Sequence, residues 1–198
     1  IRFAFGAKCS RFSAPGTVTI TDPNTVTLQN IANSGTGTVS VTTGRDSVGG
    51  GAGVLSGGPI VLGSGIVLGS TGLTTLTSTG ATAAITDSAP AIRINGNVAL
   101  VSDNSIAITN TGHSLGAVSL ATTGANGATG TANITYTEGG SANLNVVSVN
   151  TSASATVPAG SLTVVSTGGD VIQTAATGSI SVPATGTGTI GTNANTVT

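Results

Sequence analysis

The sequence predicts an all-β fold, a parallel β-helix (β-solenoid). Three observations carry that prediction. The composition is neutral and rich in small hydroxyl residues, apolar residues alternate in very short runs, and turn-forming residues close each run.

Of 198 residues, 36 are Thr, 31 Gly and 22 Ser, and only 6% are charged. Ordinary globular chains carry roughly 25% charge. Low charge with abundant Val, Ile and Thr opposes disorder, which needs low hydrophobicity and high net charge. A net charge of −1 leaves no basic patch to neutralise phosphates, which excludes a nucleic-acid partner. No apolar run approaches the roughly 20 residues that span a bilayer. The single Cys9 excludes an internal disulfide framework.

The strand signal is period two: apolar, small polar, apolar. It occurs at Val18/Ile20, Val26/Leu28, Val39/Val41, Ile60/Leu62, Ile66/Leu68, Ile92/Ile94, Val98/Leu100 and Ile106/Ile108. It continues at Val118/Leu120, Ile134/Tyr136, Leu144/Val146, Leu162/Val164 and Ile180/Val182. Such runs bury one face and place Thr and Ser on the other. Gly, Asn, Asp and Ser follow each run, as corners require. No helical spacing persists over three turns. Short strands with tight corners suit a coil whose successive rungs lie about 4.8 Å apart, and small aliphatic residues suit a narrow tube. Rungs of roughly 20 residues would give about nine rungs and roughly 40 Å of rod. The alternative is a tandem of immunoglobulin-like sandwiches, which would normally show longer strands and a core aromatic.

A longer repeat is present. Thr25–Gly44 aligns with Ser105–Gly124, matching Val26 with Ile106, Leu28 with Ile108, Asn30 with Asn110 and Val39 with Val118. Leu73–Ile94 resembles Leu162–Val182, and "NTVT" at Asn195–Thr198 repeats Asn24–Thr27. Residues 17–198 therefore read as a solenoid of two modules, 25–104 and 105–198. Residues 1–16 differ: they hold Phe3, Phe5 and Phe12, with Arg2, Lys8 and Arg11. They read as a cap over an open solenoid end, as a strand docking on a neighbouring subunit, or as a tail. Asn30, Asn110 and Asn195, next to turns, are expected to stack as a hydrogen-bonding ladder.

The strings "NSIAITN…GAVSLATTG", "GSLTVVSTGGDVIQT" and "TGSISV" resemble the β-strand repeats of filamentous-haemagglutinin-like exoproteins. That resemblance covers most of Gly16–Thr198. It implies a right-handed parallel β-helix, secretion from a bacterium or display on its surface, and adhesion or surface coating. The chain begins at Ile1 and reads as processed or as part of something longer, with any export signal outside it.

Enzyme-like strings fail on context. "GHSLG" (Gly112–Gly116) fits a nucleophile elbow around Ser114, but the only His, His113, lies inside the motif, and a strand pattern follows where a helix is required. "GTGTIG" (Gly186–Gly191) lacks the following helix and acid of a dinucleotide site. Asp22, Asp46, Asp87, Asp103, Glu138 and Asp170 are spread out, without a metal-ligand pattern. No catalytic, cofactor or metal residue is assigned. The expected partners are a surface or glycan ligand, or copies of the chain end to end as a filament or sheath. Rows of T-x-T hydroxyls also raise an ice- or carbohydrate-binding face, although in sequence the rows look irregular.

Overall fold

In the computed structural model the strands wind into a coil and pair only with strands of neighbouring turns. The structure describes residues 8–14, 17–33, 38–44, 58–63, 67–69, 72–87, 93–111, 114–125, 132–139, 144–151, 161–167, 170–172, 180–181 and 188–192. All of their strand pairings are parallel, and no helix occurs among them. The fold is a parallel β-helix. Parallel pairing throughout excludes the sandwich alternative, whose sheets are antiparallel.

Three ladders run along the coil. The first joins β2 (Val18–Asp22), β4 (Val39–Thr43), β7 (Thr74–Ser78) and the second halves of β9 (Arg93–Ser102), β11 (Ser114–Thr122) and β13 (Leu144–Thr151), ending at β16 (Ile180–Ser181). The second joins the first halves of β1 (Lys8–Ala14) and β3 (Val26–Asn33) to β5 (Ile60–Leu62), β8 (Ala84–Asp87), β10 (Ser105–Ile108), β12 (Ile134–Glu138), β14 (Leu162–Ser166) and β17 (Gly188–Thr192). The third uses the second halves of β1 and β3, then β6 (Val67–Gly69), the first halves of β9, β11 and β13, and β15 (Val171–Ile172). Several strands serve two ladders, so all seventeen join one continuous hydrogen-bonded surface.

The alternation read from the sequence is the alternation of burial. Val18, Ile20, Val39, Val41, Leu76, Val98, Leu100, Val118 and Leu120 lie buried under the first ladder. Val26, Leu28, Ile60, Leu62, Ile85, Ile106, Ile108, Ile134, Tyr136, Leu162 and Val164 lie buried under the second. Together they form one core cluster. Each buried aliphatic side chain contributes about 1.5–3 kcal/mol from removal of apolar surface from water. Tyr136, fully buried between Ile108 and Val164, is the largest of these side chains and supplies the core aromatic.

The second ladder has eight strands, which spans about 34 Å at the spacing of paired strands. The coils are less uniform than the expected 20-residue rungs: Val98 to Val118 is 20 residues, whereas Val39 to Thr74 is 35. The repeat around Thr25–Gly44 has a clear structural meaning. Val26 and Ile106 occupy the same ladder position three coils apart, as do Val39 and Val118. The second similarity is out of phase. Leu76 lies in the first ladder, but Val164, at the matching place in the motif, lies in the second. One strand-and-corner recipe, inward apolar residue then inward Ser then Thr and Gly, serves two different corners.

The N-terminal segment is partly inside the solenoid. Residues Lys8–Ala14 pair in parallel with Thr27–Asn33 of the same chain, with Phe12 opposite Ile31. Phe3 and Phe5 lie outside the described residues.

Candidate functional site

The most organised polar structure is the corner after the first ladder. In β2, β4, β7, β9 and β11 the alternation continues for one more inward residue. In register these are Asp22, Thr43, Ser78, Ser102 and Thr122. All five are buried. Hydroxyls suit this place because the chain turns here and frees backbone carbonyls, which buried donors can satisfy.

Some of the bonds close the corner within a coil, and others tie one coil to the next. The Gly58 carbonyl accepts from the Thr43 hydroxyl and from Ser78 Oγ, the latter at 2.7 Å. Ser78 Oγ also accepts from Ala84 N at 3.0 Å. Thr79 Oγ1 donates to the Thr43 carbonyl at 2.7 Å, and Thr122 Oγ1 to the Ala132 carbonyl at 3.0 Å. Asp103, also buried, ties three coils: its carboxylate accepts from Gly80 N at 2.7 Å on one side and from the Thr123 hydroxyl on the other. Asn104 donates to the Ala81 carbonyl at 2.6 Å. Gly44 and Gly58 make the corner tight. Gly44 has φ +78°, and a Cβ there would sit 1.8 Å from the Thr79 carbonyl oxygen; one on Gly58 would sit 2.4 Å from that of Asn24.

A second clamp lies at the corner after the second ladder. The Asp87 carboxylate accepts from Thr109 N at 3.0 Å, Thr109 Oγ1 at 3.2 Å and Asn110 N at 2.7 Å. An acid counted in the sequence among scattered charges thus secures the turn of the next coil. Asn30 and Asn110 both follow the second inward residue of this ladder, Leu28 and Ile108, but lie three coils apart. Two coils separate them, so these two Asn residues are not neighbours in register. Asn195 lies outside the described residues.

The motif strings fall on strands. Ser114 opens β11, which runs to Thr122, so a strand stands where a nucleophile elbow needs a helix; His113 lies outside the described residues. Gly188–Gly191 lie within β17. Among the described residues no group of three His, Cys, Asp or Glu side chains gathers as a metal site. Nor, among the described residues, is any helix long and apolar enough to cross a membrane.

The outward face of the first ladder is built from two columns. One reads Thr19, Ser40, Thr75, Ala99, Ser119; the other reads Thr21, Thr42, Thr77, Val101, Ala121. No charge interrupts either column. The inward corner column was missed in the sequence reading, which placed Ser and Thr outside. Its signal is a third alternating position with Gly or Asn within the next two residues: V-x-I-x-D, V-x-V-x-T, T-x-L-x-S, V-x-L-x-S and V-x-L-x-T.

No family model, curated protein or solved structure matches the chain.

Proposed function

We propose that this chain forms part of an extracellular, non-catalytic rod of the filamentous-haemagglutinin-like kind, an adhesin or surface scaffold of bacterial origin. The observation that carries the reading is the pairing of a continuous parallel coil with an uncharged, hydroxyl-bearing face over the first ladder. Every coil hydrogen-bonds to its neighbours, so the surface it presents is held in place before any partner arrives, and little ordering entropy is lost on contact. The resemblance of the repeats supports secretion and adhesion.

The competing reading, a subunit that polymerises into a filament or sheath, has less support. β1, the outermost described strand of the second ladder, carries Lys8 and Arg11. Charged residues on an edge strand discourage pairing with another chain.

The test couples the purified chain to beads and measures their retention under flow on cell, glycan-coated and abiotic surfaces, beside electron microscopy of the same material. Retention above that of uncoupled beads, with short single rods in the micrographs, is expected. Retention equal to the control on every surface would overturn the adhesive reading. Long fibres of repeating length would favour the filament.

A further inference from the structure

We infer that the outward face of the first ladder, over β2, β4 and β7, is a docking surface for a neutral polysaccharide chain; this deepens the adhesive reading and rests on it. Three successive coils place hydroxyls at both outward positions: Thr19 and Thr21, Ser40 and Thr42, Thr75 and Thr77. Register makes this a two-by-three array. Its spacing is about 4.8 Å between coils and about 6.8 Å along each strand. The irregularity of T-x-T in the sequence disappears here, because "VTITD", "VSVTT" and "TTLTS" come from distant segments that the coil stacks in register.

Four features define the partner. First, the face carries no charge from Thr19 to Ala121, although each column crosses five coils, so a neutral ligand is complementary and an anionic one gains nothing. Second, none of the six hydroxyls has a hydrogen-bond partner among the described residues, and all six are exposed or half-buried. Their donors and acceptors are open to a ligand. Third, the columns continue as Ala99, Val101 and Ala121, which puts apolar surface beside the hydroxyls. Sugar rings present the same mixture of hydroxyl edges and C–H faces. Fourth, the complete array measures about 7 by 10 Å, the footprint of a few sugar rings. Blocking growth of an ice plane would call for hydroxyls on every coil. With no aromatic platform on this face, each contact is weak. Affinity comes from a long chain laid along the axis, touching several coils at once.

The test uses the full chain and three insoluble neutral polysaccharides, cellulose, chitin and xylan, with alginate as the anionic counterpart. Co-sedimentation is measured for the wild type, for the triple variant Thr21→Val, Thr42→Val, Thr77→Val, and for Thr42→Glu. Valine keeps the shape and strand preference of threonine, and thermal melting confirms that each variant folds. Binding to at least one neutral polysaccharide is expected, with affinity falling roughly tenfold or more in both variants as modest hydrogen bonds are lost. Equal binding by folded variants, binding confined to alginate, binding to none of the four, or thermal hysteresis without polysaccharide binding would each overturn the proposal. If beads bearing the triple variant are still retained on surfaces, the adhesive reading survives and this face is not its site. If wild-type beads are retained nowhere, both fail.

Discussion

Single buried residues set the strength of this solenoid, and three of them make sharp predictions. Thr74 occupies the inward place that Val39 and Val98 fill in the adjoining coils, and its hydroxyl is buried without a partner. Replacing it with valine removes an unsatisfied polar group at nearly constant volume, so Thr74→Val should raise stability by about 1–2 kcal/mol in a urea melt. A lower midpoint would show that the hydroxyl is satisfied. Asp103→Ala leaves the Gly80 amide and the Thr123 hydroxyl without their acceptor, which should cost about 1–3 kcal/mol. Gly44→Ala combines positive φ with a Cβ that the Thr79 carbonyl cannot admit. Its cost should reach at least about 2 kcal/mol, and a melting temperature equal to wild type would refute the corner geometry. The roles of Thr74 and Asp103 could not be seen in the sequence, because each depends on what the next coil places alongside it.

At the scale of the strand, the sequence was most informative where burial is one-sided. A period of two with small aliphatic residues leaves only one face to bury, so pairs such as Val39/Val41 and Leu162/Val164 were legible without coordinates. The third inward residue was not, because a Ser or Thr at a strand end reads equally well as solvent-facing. Its reason is local: the turning backbone exposes carbonyls such as that of Gly58, and a hydroxyl satisfies them where an aliphatic group would not. Asn30 and Asn110 recur at the same place of the motif but three coils apart, a spacing that the motif alone does not reveal. Burial in the strand centre predicts that Leu76→Ala costs about 2–5 kcal/mol, measured by the same urea melts, whereas Thr75→Ala on the outward side should stay within about 0.5 kcal/mol. Similar losses at the two positions would mean that the face assignment is wrong.

For the whole molecule, stability is the sum of coils and the interfaces between them. The sequence repeat recorded this only in part. Val39 and Val118 mark three coils, but the coils between them differ in length, so neither repeat period nor residue count reveals how many turns the chain makes. The hydroxyl face belongs to this scale as well, since its columns join residues twenty or more positions apart. Backbone NMR on the folded chain tests the stacked coil most directly. Cross-strand amide–Hα contacts should connect Thr42 with Thr77, Thr77 with Val101 and Val101 with Ala121, all in parallel register. Antiparallel contacts between strands adjacent in sequence, with none across these pairs, would contradict the coil and the functional reading built on it.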